Sequence, residues 1–577
     1  MSKKFVNNVE EAVNDALRGL VGSSDQLQLH PLYCGGAKKE KESLWWPEEA
    51  LDTSHTRQVR LPSRFDVFSS GYVGEGLLTA AVAGDVFASP PSRHIQQALQ
   101  ATQSEEGTIL FITNYTGDRL NFGLAAERFQ ENGKNKVKTL LISDDVAIDS
   151  PSNCVGKRGL AGAVLTIKIA GAMSECGKSM SEIYEKCLEI NENLGTLGVS
   201  LYPGAVPGKR RGSEIPEDEI EVGLGIHGEP GKHRKPYSKA GEIFEDILGT
   251  LQHKMQLKPK EELFVLLNNL GSVSNLEMNI LTGELVKWCD ARKLKILRLF
   301  VGSYMTSLDS HGVSVTFLKN FSNDLTEYLD APTKAPGWSG HLAVHHPVCE
   351  NRKEKQEKME TGNLDISKSG AMGDEHSIRE CVKAVCAAMG REEENLNELD
   401  SAAGDGDCGT TFATASKAIF SSMDSLVCSH PQTLLQQIAN IFEQTVGGTC
   451  GALYALMLNS ASKAFDTKSN SESCAEALRL ANDTLQKYGG ARPGDRTMVD
   501  ALDAAVGKLA DGGNEINWEE AMKASEKAAE ETAKQKATVG RASYTSEKSQ
   551  KRPDAGAIAI TKWLRAIHEV IHSTSNT

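Results

Sequence analysis

No stretch of this chain stays apolar for 18 residues, so no membrane-spanning helix is expected. The opening MSKKFVNNVEEAVNDAL lacks the apolar centre of a signal peptide and reads as a surface helix. The twelve cysteines include no CxxC pair, which fits reduced cytosolic thiols and gives no zinc pattern. A basic excess is also missing. Lys and Arg number 63 against 77 Asp and Glu, and a net charge of −14 opposes binding to nucleic acid. Nucleotides stay open to it, because glycine loops, lysines and metal ions act locally. No internal repeat is evident. These absences leave a soluble, cytoplasmic protein with no membrane or nucleic-acid partner.

What is present is ample core material: 40% apolar and 24% charged residues over 577 positions, enough for roughly two to four domains. From about residue 71 to 329, apolar runs (GTILFIT, KTLLIS, LFVLLNNL, ILRLFVG, VSVTFL) alternate with helical patterns, which predicts α/β layers. Residues 341–372 are polar and charged, the composition of a flexible linker. From 373 to 577 amphipathic, alanine-rich stretches predict an all-α domain.

The sharpest motif is DSAAGDGDCGTT, in which Asp400, Asp405 and Asp407 bracket Gly404, Gly406 and Gly409. With Asp400 ending a helix, the glycine turn folds three carboxylates around one point. A hard cation such as Mg2+ relieves their repulsion. An isolated DGD is more often an acidic surface turn, and the spacing does not suit an EF-hand. Three more glycine-bearing turns precede helical patterns: VGGTCGALY at 446–454, PGDRTMVDAL at 493–502 and GRASYTSEKSQKRPDAGA at 540–557. Each alone is commonly just a turn. Four in one helical domain suggest a shared nucleotide site at one end of a bundle.

Together these motifs resemble the nucleotide domain of the single-chain, ATP-dependent dihydroxyacetone kinases. The resemblance implies a helical barrel with ATP at one mouth and two Mg2+ ions on Asp400, Asp405 and Asp407. Mn2+ or Co2+ are the alternatives for FAD splitting, an activity of the family's animal members that yields AMP and cyclic FMN. Nucleotide contacts are implied for Asp405, Gly406, Asp407, Cys408, Gly409, Thr410, Thr411, Thr449, Cys450, Gly489, Thr497, Met498, Asp554, Ala555 and Gly556. Thr449 and Cys450 stand where the family often has two serines. Thr449 keeps a hydroxyl and Cys450 keeps its backbone N–H, so nucleotide binding should survive.

The resemblance extends over nearly the whole chain. NYTGDRLNFG (114–123), the segment 195–208, EVGLGIHGEPG (221–231), NNLGSVSNLE and VGSYMTSLD are similar to the family's substrate domain. GLGIHG also fits G-x-G-x-x-G, but EPGKHRKPYS follows and does not start a helix promptly, so a dinucleotide fold is rejected. Taken alone, His227 reads as an ordinary surface or structural histidine. The family implies that it attacks the substrate carbonyl and holds the triose as a covalent hemiaminal. Asp118, otherwise a turn carboxylate, is then the general base, with Asn114 in the substrate-binding set. Thr113 stands where a lysine is usual, which removes a donor and a charge. The expected substrates are dihydroxyacetone, glyceraldehyde, ATP and FAD, and the expected assembly is a homodimer.

One segment departs from the family. A glycine loop GGGSGHEP should precede GYVGEG at 71–76, and this chain has none. Residues 47–55, PEEALDTSH, can be encoded CCG GAG GAG GCT CTG GAC ACG AGC CAC. Read one base earlier than Glu48, those codons spell G-G-G-S-G-H-E-P. ESLWW before them likewise rereads as V-S-V-V-A, a buried strand leading into the loop. Residues from about 30 to 70 are thus expected to be a frameshifted or mis-spliced segment, and poorly packed. A true insertion would have to mimic the shifted motif by accident. The alternative function is a catalytically impaired regulatory or binding homologue that keeps the fold without this loop.

Overall fold

The computed structural model describes residues 8, 11–22, 28–32, 41–45, 62–65, 71–130, 135–148, 157–209, 215–229, 231–340, 368–446, 448–511, 516–546 and 548–574. The chain divides into two compact units, 1–351 and 352–577. The expected linker, 341–372, lies outside the described residues up to 367.

The first unit is α/β with two six-stranded sheets. In chain order its strands are β1 (Gln28–Leu32), β2 (Lys41–Trp45), β3 (Pro62–Phe65), β4 (Ala80–Ala83), β5 (Thr108–Thr113), β6 (Val137–Ile142), β7 (Leu194–Tyr202), β8 (Glu219–Val222), β9 (His233–Pro236), β10 (Glu262–Asn269), β11 (Lys295–Gly302) and β12 (His311–Lys319). The first sheet runs β1-β2-β4-β3-β5-β6 and the second β11-β10-β12-β7-β8-β9. β3 to β6 form a parallel half, while β1 and β2 attach antiparallel. In the second sheet only the β10–β11 pair is parallel. All five apolar runs expected as strands fall on β5, β6, β10, β11 and β12.

Helix Gly162–Glu175 (GAVLTIKIAGAMSE) is apolar nearly all round, and its residues 162–174 are all buried. It lies in the largest core, with Phe111, Ile142, Phe264, Phe300 and Leu318 from both sheets. The one charged residue of the buried 162–174 stretch is Lys168. Its ammonium donates to the Tyr328 carbonyl at 2.8 Å, and burial pushes its pKa down to about 8. A smaller core packs Val82, Leu110 and Ile112 against Ile95, Phe122 and Ala126 of helices Ser92–Ala101 and Thr116–Gln130. That second helix starts at the end of β5 and carries Asp118 in its first turn.

Among the described residues the second unit contains no strand. Its helices are Glu375–Arg391, Glu393–Ser401, Cys408–Ser421, Pro431–Thr445, Gly448–Ser462, Ser471–Gly489, Met498–Asp511, Trp518–Glu531 and Ala555–Thr574. The amphipathic stretches turn their apolar faces to one core around Phe412, Tyr454, Leu502 and Ile560. An apolar cavity of ≈ 360 Å³ opens within it, lined by side chains such as Phe442, Met457 and Leu564. No described helix is long and apolar enough to cross a membrane.

Candidate functional site

In the α/β unit the chemistry collects at the end of β5 and in the loop that follows β8. β5 delivers Asn114, whose backbone N–H bonds the Ile142 carbonyl and whose amide donates to the Lys157 carbonyl at 2.7 Å. One helical turn on, Asp118 is fully buried. Between them Tyr115 sets its ring edge-on to the His227 imidazole, with centroids 4.6 Å apart. Phe87 packs on the same imidazole at 5.2 Å. The structure thereby brings the loop of His227 against the 114–118 turn. No helix follows GLGIHG; the chain goes on to strand β9, so a dinucleotide cradle is absent here.

Sequence reasoning missed the partner of His227. Glu229, two residues on, accepts from the His227 backbone N–H at 3.0 Å through Oε2 and faces Nδ1 at 2.9 Å through Oε1. Burial alone would raise the Glu229 carboxyl. The hydrogen bonds and positive potential of His227 outweigh it and hold the group below the usual glutamate range. An ionised Glu229 can only accept, so Nδ1 carries a proton and, in the neutral form of the ring, the lone pair is on Nε2. Behind this loop Arg158 pairs with fully buried Asp145 at 2.7 Å and donates to the Gly223 carbonyl. The loop is thus fastened at Gly223 and at Glu229, with His227 between.

In the helical unit the four glycine turns meet. Helices starting at Cys408, Gly448, Met498 and Ala555 each follow one of them. The Cys408 thiol senses Cys450, Asp400 and Asp554, while Asp554 senses Arg496, Asp500 and Asp400. Asp400 ends helix Glu393–Ser401 as expected, and its Oδ2 accepts from the Gly406 and Asp407 N–H groups at 2.8 and 3.2 Å. Gly406 has φ 77°, a conformation side chains resist, and a Cβ on Gly409 would lie 1.9 Å from the Glu393 carbonyl oxygen. The glycines are what let the turn close. Asp400, Asp405 and Asp407 each place an oxygen within 4.8 Å of the others, and no other described group of three or more donors comes so close. All-oxygen donors of this charge fit Mg2+. Helix starts that converge, each with a positive dipole end, fit phosphate.

Thr449 and Cys450 lie in the first turn of helix Gly448–Ser462, and burial pushes the Cys450 thiol up to about 12. It stays a neutral thiol, which suits a residue offering only backbone to a ligand. Thr497 and Met498 open their helix, where Asp500 caps the turn by accepting from the Gly494 and Thr497 N–H groups. Gly556 packs on Met498, so the 493–498 and 554–556 turns touch. Gly489 closes helix Ser471–Gly489.

Residues 67–337 match a family described as the Dak1 domain, and 402–569 match the DAK2 domain. Human triokinase/FMN cyclase is 35% identical over 99% of this chain and 100% of its own length. The chain belongs to the dihydroxyacetone kinase family. Dihydroxyacetone kinase of Pichia angusta is 34% identical across 97% of each chain. The crystal structure of the dihydroxyacetone kinase from C. freundii in complex with AMP-PNP and Mg2+ superposes with a TM-score of 0.63, at 29% identity, covering 99% of this chain and 100% of that one. The Dak1 match starts only at residue 67. Of the questioned segment, 28–32, 41–45 and 62–65 run as strand backbone. Residues 47–55, where the family's glycine loop is expected, lie outside the described residues.

Arg496 is a second residue that the sequence alone does not point to in this member of the family. It is buried at φ 61°, donates through Nη2 to the Arg552 carbonyl at 2.8 Å, and lies 3.9 Å from Asp554. It ties the 493–498 turn to the 552–556 turn.

Proposed function

We propose that this chain phosphorylates dihydroxyacetone and glyceraldehyde with ATP, and splits FAD into AMP and cyclic FMN at the same nucleotide site. The observation that carries the reading is the trio of aspartates set among converging helix starts. In this reading His227 Nε2 adds to the triose carbonyl carbon as the C=O π pair moves to oxygen, which takes a proton from water to give the hemiaminal. The ring keeps its Nδ1 proton and becomes a cation paired with Glu229. Glu229 holds the imidazole by Nδ1 throughout, and the aromatic edges of Tyr115 and Phe87 fix the ring plane. Only a carbonyl compound is captured, so glycerol is rejected. Asn114 helps seat the triose. Asp118 accepts the proton of its attacking hydroxyl, whose oxygen then bonds the γ-phosphorus as ADP leaves. Fixing a three-carbon substrate serves a reaction governed by alignment and charge neutralisation.

Asp400, Asp405 and Asp407 would hold Mg2+, which when bound neutralises phosphate charge; Mn2+ or Co2+ could replace it in FAD splitting. Residues 405–411, Thr449, Cys450, Gly489, Thr497, Met498 and 554–556 would seat the nucleotide. A cytoplasmic homodimer, with residues 1–340 as kinase domain and 373–577 as nucleotide domain, completes the reading. Calorimetric titration of residues 373–577 with Mg-ATP tests the assignment of the nucleotide site. Saturable binding supports it, and no binding at millimolar ATP removes it.

A second reading has its own support. The residues at 47–55 carry glutamate, leucine and aspartate where backbone would have to approach the ligand. In that reading the chain as written binds metal-nucleotide but turns over triose weakly or not at all.

A further inference from the structure

The last helix carries a pattern that the nucleotide site does not use. Residues 568–572 read H-E-V-I-H, and the four-residue step puts His568 and His572 on one helix face. Their imidazoles stack with centroids 5.2 Å apart. Opposite them, in the first turn of helix Trp518–Glu531, Glu519 sets Oε2 3.8 Å from His568 Nε2. The other Glu519 oxygen lies 3.4 Å from Lys523, an exposed pair that costs little to rearrange. Arg565, the nearest guanidinium along the helix, is engaged by Glu526 at 2.5 Å and does not compete for the imidazoles.

We propose that His568, His572 and Glu519 bind a borderline transition-metal ion of the Zn2+ class, at a site separate from the aspartate trio. Two imidazoles one helical turn apart are a bidentate chelate for Zn2+, Cu2+ or Ni2+, whereas the all-carboxylate trio suits Mg2+. Glu519 Oε2 already lies close to His568 Nε2, but the three donors are not gathered as tightly as those of the trio, so the stacked His572 ring turns toward the ion as it binds. An ion held in this way pins the C-terminal helix to helix Trp518–Glu531 and stabilises the folded unit. The plainer reading, an ion pair between Glu519 and protonated His568, gives His572 no part. On other helices this motif serves hydrolysis, with its glutamate as base. Here the proposal is binding alone.

The test is Zn2+ titration of the full-length chain, in reductant and saturating Mg2+, by competition with a chromophoric chelator. The parent and the Asp405→Asn variant should each hold one tight equivalent of Zn2+. His572→Gln alters an exposed residue and leaves the thiols unchanged. It should weaken that equivalent by roughly tenfold or more, and Glu519→Gln by roughly tenfold. Zn2+ should raise the thermal midpoint of the parent but not of His572→Gln. Equal Zn2+ affinity in parent and His572→Gln, or loss of the tight equivalent in Asp405→Asn, would overturn the site.

Discussion

The two candidate sites are built on opposite electrostatic terms. Around His227 charge is already matched: Glu229 meets its imidazole, Asp145 meets Arg158, and the loop is hydrogen-bonded at both ends. Around Asp400 the carboxylates face one another with oxygens within 4.8 Å, and burial with like charge pushes nearby Asp554 up to about 6. A matched site holds a neutral substrate by geometry. An unmatched acidic one needs a cation before it accepts a polyanion. In the proposed reading the contrast separates the chemistry of capture from the chemistry of phosphoryl handling.

The largest expected effect breaks both activities at once. Asp407→Asn removes a charge from the metal set, so kinase turnover and FAD splitting should both fall below detection in steady-state assays. Loss of one activity alone would mean that two separate metal sites exist. Next in size is the restored loop. Putting VSVVAGGGSGHEP back into the 30–70 segment should raise dihydroxyacetone phosphorylation by orders of magnitude and leave Mg-ATP affinity unchanged. Equal rates in the two chains would make the unusual stretch a working alternative loop. Sequencing the transcript across codons 28–72 checks the same idea independently.

Smaller effects sharpen the comparison. Glu229→Gln keeps the shape but leaves one acceptor oxygen where His227 uses two, so the amide can donate to Nδ1 and the tautomer is no longer fixed. Triose kcat/KM should drop by on the order of 10–100-fold, with FAD splitting untouched. The smallest effect concerns Asp554 in the metal-free protein. Burial raises its carboxyl and outweighs the Ala557 N–H and Arg496, which lower it. The native state therefore binds more protons than the unfolded state from the ordinary carboxylate range up to about pH 6. Its contribution to stability is present below that range and is lost as pH rises through about 6. Arg496→Met should move the Asp554 midpoint upward in an NMR titration and weaken nucleotide binding above it. An unmoved midpoint would leave Arg496 with a packing role only.

Much of this arrangement was legible in the residues. Short apolar runs such as LFVLLN, residues 263–268, become buried strand, and their length and alternation with helical patterns are what favour it. The aspartate trio was legible because carboxylates at such close spacing, separated by glycines, leave few other uses. Helix Gly162–Glu175 was not assigned, since an apolar run does not say whether it is helix or strand until its neighbours cover it. β7, β8 and β9 went unread for a related reason: they pair antiparallel around glycines and charges, with no long apolar run. Glu229 and Arg496 were hidden because their roles depend on burial and backbone angle, which no local pattern encodes. His227 itself stood out only through the family resemblance.

The central claim is that triose capture and nucleotide chemistry reside in separate sites of one chain. It is tested most directly by assaying His227→Ala, in the background with the restored loop, for both activities. Dihydroxyacetone phosphorylation should disappear while FAD splitting continues at the parental rate. Triose phosphorylation at the parental rate would mean that His227 does not capture the triose, and loss of both activities would mean that the two reactions do not use separate sites.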